Sequence, residues 1–250
     1  VIADGETFDK GGVNISTVHG EMSEELAKQL QSTPLPFAAC GLSLVIHPRS
    51  PRVPTVHMNV RYFETQGGRC WFGGGIDLTP YYPYPDDFTA FHRTLQSACE
   101  TAMPGSYQGF KEYCDRYFTI THRQEMRGVG GVFFDYLDGA EVQHWELVQS
   151  VGDAFLPAYT PIVERRRHEE WTPEDLAFQR VRRGRYVEFN LIYDRGTLFG
   201  LRSGGRIESI FMSLPPEVHF HYDWHPAPQS AHTQMQSFYQ PYDWSNGWSQ

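Results

Sequence analysis

Seven residues, His57-Met58-Asn59-Val60-Arg61-Tyr62-Phe63, constrain the fold more than any other stretch of this chain. Successive side chains of an extended strand point to opposite faces, so His57, Asn59 and Arg61 share one face and Met58, Val60 and Tyr62 the other. The second set fits a core, so the chain must build a sheet with an apolar side. The first set is either a solvated polar face or a functional row. His, Asn and Arg are unusual as plain solvent decoration, where Lys, Glu and Thr are commoner. Read as a site, they offer a proton-transfer group, an amide and an anion-binding fork on one rigid surface. Leu42 to His47 forms a second strand, joined to Thr55–Phe63 by the proline-rich turn from Pro48 to Pro54. Ser43, Val45 and His47 share a face there and extend the row if the two strands pair.

Elsewhere strands and helices alternate irregularly. Val13 to Val18 reads as extended, and Ser23 opens a short helix with Glu24 and Glu25 in its first turn. Asp86 or Asp87 starts a helix to about Met103, and another covers Tyr107 to Phe118. Val132 to Tyr136 is a short strand after Gly128–Gly131. A helical stretch begins near Val142, which Pro157 and Pro161 must kink or break. Thr172-Pro173-Glu174-Asp175 caps the next helix, which is expected to stop at Gly184, with a strand from Tyr186 to Asp194. No repeating βαβ beat, internal repeat or long linker is visible. The expectation is an α+β fold in a single domain over residues 1–250.

Composition narrows the function classes. With 40% hydrophobic and 20% charged residues the chain can bury a core, and no run of 18 apolar residues offers a spanning helix. The net charge of −9, from 21 basic and 30 acidic residues, argues against nucleic acid or an anionic membrane as partner. The basic residues are nearly all arginine, with only Lys10, Lys28 and Lys111 as lysines. That bias reflects either base composition or a demand for planar forks that hold carboxylates. Cys40, Cys70, Cys99 and Cys114 show no C-x-x-C spacing and read as reduced thiols. Val1-Ile2-Ala3-Asp4 carries no leader pattern. The expected location is cytoplasmic, the simpler reading, although an organellar targeting segment removed upstream would leave no trace.

Four more segments are rich in chemistry. Trp71 to Pro80 places Gly73-Gly74-Gly75 beside Asp77; the glycines mark either a tight bulge or close approach of a flat ligand to backbone. The segment lacks a phosphate-loop pattern. His122 to Gly128 gathers a histidine, two arginines and a glutamate, as a surface ion-pair network also would. Gly200 to Arg206 sets Arg202 and Arg206 in a glycine-rich turn, either an anion nest or an ordinary hairpin turn. His219, His221, Asp223 and His225 share a face if extended, but ends of that row lie about 20 Å apart, too far for one ion. Taken together these residues suggest a flat, apolar ligand carrying carboxylates, with Asp77 and His57 as acid/base groups.

The same segments closely resemble the oxygen-dependent coproporphyrinogen III oxidase family. The likeness runs in order from Asp9-Lys10-Gly11-Gly12-Val13-Asn14, through Val56 to Glu64, Trp71 to Pro80, His122 to Asp135 and Tyr186 to Pro216, to Pro241-Tyr242-Asp243-Trp244. The resemblance implies a large antiparallel sheet flanked on both faces by helices, and oxidative decarboxylation of two propionates of coproporphyrinogen III to vinyls. The products are protoporphyrinogen IX and carbon dioxide. Dioxygen is the co-substrate, no organic cofactor is needed, and a divalent metal is disputed. It also implies a homodimer formed through about residues 186–221, and an N-terminal helical segment that this sequence lacks.

By the same resemblance the proton-donor histidine falls on His57, the carboxylate that meets pyrrole N–H groups on Asp77, and substrate contacts on Ser43, Asn59, Val60, Arg61, Gly204, Gly205 and Arg206. Arg61 and Arg206 would hold propionates. A divalent ion, if bound, would correspond to His47, His57, His92 and His122. Cys70 stands where the family usually has tryptophan, and His219 and His221 replace residues that are not usually histidine. Two other readings remain: a non-catalytic tetrapyrrole-binding protein, and a metal-dependent oxygenase acting on a carboxylated aromatic.

Overall fold

A computed structural model describes residues 1–29, 32–202 and 204–248. In chain order its strands are β1 (Ile2–Ala3), β2 (Phe8–Glu21), β3 (Pro36–Pro48), β4 (Thr55–Thr65), β5 (Cys70–Thr79), β6 (Thr119–Ile120), β7 (Glu125–Met126) and β8 (Gly130–Asp138). Six of them make one antiparallel sheet in the order β1-β2-β3-β4-β5-β8, while β6 and β7 pair separately. The helices are α1 (Glu24–Gln29), α2 (Pro85–Ala102), α3 (Tyr107–Tyr117), α4 (Val142–Asp153), α5 (Phe155–Arg166), α6 (Pro173–Ile192), α7 (Arg195–Arg202), α8 (Ile207–Phe211) and α9 (Ala231–Ser237). This is the α+β body with a large antiparallel sheet that the sequence led us to expect.

The alternation at 57–63 decides which face is which. Val56 and Met58 of β4 join Leu44, Phe72, Ile76, Leu78, Val132 and Phe134 in the main core, against Phe88, Phe91 and Leu95 of α2, Leu147 of α4 and Ile162 of α5. Each such fully buried side chain is worth about 1.5–3 kcal/mol. The opposite face is covered by the second half of α6 and by the segment around α8. There Arg183 donates to the Pro48 carbonyl, Lys10 Nζ donates to the carbonyls of Phe211 and Leu214, and Met212 lies over Gly12. Helix α3 runs along the edge strand β8. Phe110 meets Phe134 on one face, and Tyr113 and Tyr117 meet Phe133 on the other, so that edge is shielded.

Four sequence expectations need correction. The helix beginning at Thr172 does not stop at Gly184, and Tyr186 to Asp194 is not a strand: α6 continues to Ile192. Its start is strong, because Thr172 and Asp175 form a reciprocal capping box. Gly184 serves close packing, since a Cβ there would lie 2.8 Å from the His219 carbonyl oxygen. Tyr186, Phe189 and Asn190 are buried at helical spacing, so tertiary packing overrides the strand-like composition. Second, the chain breaks at Ala154 between α4 and α5, ahead of Pro157, and Pro161 lies inside α5. Third, Gly200 to Arg206 is no hairpin but the joint between α7 and α8; Ser203 lies outside the described residues. Likewise 219–225 is not extended: it carries no strand, and Asp223 has a φ of 45°.

Candidate active site

Pairing of β3 with β4 and of β4 with β5 brings the polar row together. Ser43 lies opposite Asn59, Val45 opposite His57, and His57 opposite Asp77. On this face one chain of hydrogen bonds crosses the sheet. Arg61 Nη1 donates to Asn59 Oδ1 at 2.7 Å, and Asn59 Nδ2 lies 3.3 Å from His57 Nε2. His57 Nδ1 is 2.8 Å from Asp77 Oδ1. Arg127, just before β8, closes the chain with Nη2 at 2.9 and 2.8 Å from the two Asp77 oxygens, and its Nη1 donates to Asn190 of α6 at 2.8 Å.

Burial sets the electrostatics. Asp77 and Arg127 are each 2% exposed. Burial alone would raise the Asp77 pKa, but the Arg127 charge and then the His57 hydrogen bond outweigh it and hold the carboxyl below its ordinary range. For Arg127, burial favours the neutral form and the Asp77 charge outweighs it, so the guanidinium stays protonated. Its carbon lies 4.1, 4.5 and 4.9 Å from the ring centres of Phe118, Tyr186 and Phe189. These rings add cation–π attraction and leave the guanidinium little room to move. Asp77 is thus turned inward, and His57, with 16% of its side chain exposed, stands in front of it. The expected direct contact between Asp77 and a ligand is closed off by Arg127 and His57.

At the other end Arg61 remains reachable, with 35% of its side chain exposed. Its Nη2 lies 2.9 Å from Asp135 Oδ2, which also pairs with Arg195 Nη2 at 3.2 Å. The consecutive glycines have a specific use here. A Cβ at Gly73 would lie 2.7 Å from Asp135 Oδ1 and 2.9 Å from Arg61 Cζ, and one at Gly75 would meet the Val132 carbonyl at 2.5 Å and Phe133. Gly74 does the same for Phe134 on the core face. The space above these glycines is therefore filled by the protein's own side chains, where the sequence had suggested backbone laid open to a ligand.

The remaining expected residues divide. Ser43 lies beside Asn59 in the row. Val60 turns its side chain to the core face and packs there, so only its backbone belongs to the site. Arg206 is exposed and sits 3.5 Å from Glu208, and among the described residues no hydrogen bond or ion pair joins Gly204, Gly205 or Arg206 to the row. The four-histidine set does not assemble. His47 spends its ring nitrogens on Thr55 and the Ser213 carbonyl, and His92 sits within the helical core on Tyr107 and the Val129 carbonyl. Burial pulls both down to about 3. His122 belongs to a surface cluster with Tyr193, Glu188 and Arg123. Residues committed to three separate places do not fit one ion, and among the described residues no group of three potential ligands converges.

Sequence reasoning missed Asn190, Asp135 and Arg195 as site residues, and noted Arg127 only as one of the two arginines between His122 and Gly128. Arg127 carried a usable signal, since it directly precedes the glycines that let β8 pack tightly on β5; Asn190 carried none once its segment was read as a strand.

The coproporphyrinogen III oxidase family model matches residues 1–244 of the 250. The chain belongs to the coproporphyrinogen III oxidase family. Membership brings coproporphyrinogen III as the substrate and its decarboxylation as the reaction class, which suits a sheet face with an arginine fork at one end and an acid/base pair at the other. No helix among the described residues is long and apolar enough to cross a membrane.

Proposed function

We propose that this chain is the oxygen-dependent enzyme, converting two propionates of coproporphyrinogen III to vinyls and giving protoporphyrinogen IX and carbon dioxide, without an organic cofactor. The observation that carries the reading is the unbroken chain Arg61–Asn59–His57–Asp77–Arg127 across one sheet face. Arg61 orients a propionate. His57, with the ionised Asp77 behind it, takes a proton from a pyrrole N–H and so raises electron density on an already electron-rich ring. Dioxygen then adds to that ring as a peroxide anion, which removes a hydrogen from the propionate β-carbon. The C–COO⁻ bond breaks, the vinyl double bond forms and carbon dioxide leaves; the displaced electron pair moves back into the ring and breaks its bond to oxygen, so hydroperoxide departs and His57 returns its proton to the pyrrole nitrogen. The two electrons released, with the hydrogen, end on dioxygen.

The active form is a homodimer joined through about residues 186–221. Leu191, Ile192, Leu201, Ile207 and Phe220 in that span are exposed, which is unusual for so many large apolar side chains in one stretch.

The test is anaerobic mixing of the protein with coproporphyrinogen III, then admission of dioxygen, with porphyrin fluorescence after oxidation of the product. Protoporphyrin formed only after dioxygen enters is the expected result, and it should survive a chelator. Tight binding without conversion would replace the reading by a carrier. Activity lost to the chelator and restored by one ion would replace it by a metal-dependent oxygenase.

A further inference from the structure

The hydrogen-bond chain has a fixed direction. A guanidinium can only donate, so Arg61 Nη1 bonds the oxygen of Asn59 and leaves the Asn59 amide N–H groups facing His57. His57 Nε2 must then be the acceptor, which places the ring proton on Nδ1, pointing at Asp77 Oδ1. Asp77 can receive it only as a carboxylate in this rotamer, and two bonds from Arg127 enforce both conditions. Arg127 is held in turn by Asn190, 4% exposed on α6, and by the three surrounding rings. The other tautomer would bring Nε2–H against the Asn59 amide and leave Asp77 facing a bare nitrogen. The Nε2 bond to Asn59, at 3.3 Å, is the longest in the chain, and it is the link an incoming N–H can most easily displace.

We propose that Arg127, anchored by Asn190, is a positioning residue that fixes His57 in its Nδ1–H tautomer by clamping Asp77. Arg127 touches no substrate; it acts through Asp77, presenting a lone pair at His57 Nε2, the ring nitrogen turned away from Asp77. The inference rests on the proposed use of His57 in the reaction, but its structural half does not depend on turnover.

The test uses the whole chain with ¹⁵N-labelled histidine, the His57 signals being assigned by their loss in His57→Gln. The unaltered protein should show the Nδ1–H tautomer. In Arg127→Met and Asn190→Ala the signals should move toward the Nε2–H form or a mixture, and kcat should fall about 10- to 100-fold with KM unchanged. Arg127→Lys, which keeps the charge but not the fork, should restore part of both. A purely structural role for Arg127 would lower the melting temperature while folded molecules kept both tautomer and kcat, and that outcome overturns the proposal. Should Arg127→Met not fold, Asn190→Ala and Arg127→Lys decide: an unaltered tautomer in both refutes it. Failure of the unaltered protein to convert coproporphyrinogen III would instead overturn the functional reading, and the tautomer measurement would stand by itself.

Discussion

Asp77→Asn is the obvious probe of the proposed chemistry, and the structure says that it alone will mislead. Asp77 is the sole carboxylate bonded to Arg127 among the described residues, and both side chains are 2% exposed. The substitution leaves a buried guanidinium without its counter-charge and turns an amide group toward its N–H donors. Removing one partner of a buried pair costs about 3–5 kcal/mol, a large part of the 5–15 kcal/mol that holds a domain together. Asp77→Asn should therefore lose activity partly by losing fold. Adding Arg127→Met removes the stranded charge and puts an apolar chain of similar reach among Phe118, Tyr186 and Phe189. The double variant should then be more stable than Asp77→Asn, with a coupling of about 2–3 kcal/mol in a double-mutant cycle. Urea unfolding at pH 7, followed by fluorescence and circular dichroism, measures it. Turnover should stay lost in the double variant, which separates chemistry from folding. If Asp77→Asn lies within about 1 kcal/mol of the unaltered protein, or if the two substitutions simply add, the buried-charge reasoning is wrong.

Other consequences follow from named contacts. His47 and His92 are neutral when folded, with pKa values lowered to about 3 from an ordinary 6.5, so the unfolded chain binds more protons. Stability is complete above that ordinary value and lost as pH falls through it, by about 2 kcal/mol for each histidine at pH 5. His92→Gln should flatten the pH dependence of unfolding free energy between pH 5 and 6 by about 1.2 kcal/mol per unit, and an unchanged slope would refute the assignment. Gly73→Ala drives a methyl group into the Arg61–Asp135 pair and should raise KM for coproporphyrinogen III by roughly 10-fold, the loss of one charge-assisted hydrogen bond, while KM for a variant already lacking Arg61 should not respond. Two further glycines should respond with opposite signs. Gly109→Ala meets nothing within 4 Å on α3 and should stabilise by about 0.5 kcal/mol, whereas Gly131→Ala collides with the Ile76 carbonyl and should cost about 3 kcal/mol or more by urea titration.

The central strand was legible because period-two alternation is a local signal: 57–63 revealed the core face, the polar face and, through Ser43 and His47, the neighbour across the ladder. The capping residues of α6 were legible for the same reason. What sequence could not show is anything settled by distant packing. Residues 186–192 look like a strand until Tyr186, Phe189 and Asn190 are seen turned toward one buried guanidinium. The glycines at 73–75 look like open floor until Arg61, Asp135 and Phe133 are seen filling the space above them. His92 and His57 look alike as letters, yet one lies within the helical core and the other in the polar row on the opposite face of the sheet. Asp77 was singled out from its place beside the glycines, but its partner Arg127 lies 50 residues away and no spacing rule connects them.

The order of the strands also has a consequence in time. Strands β2 to β5 form a meander in which each pairs with its neighbour in the chain, so the sheet can grow from local contacts. The active site cannot. Its bonds join Asp77 to Arg127, Arg127 to Asn190 across 63 residues, and Arg183 to Pro48 across 135, so it closes only when α6 docks on a sheet already made. The same seam opens first when the fold loosens. Amide protons in the second half of α6 should exchange sooner than those of β4 and β5, and catalytic competence should vanish before the sheet does.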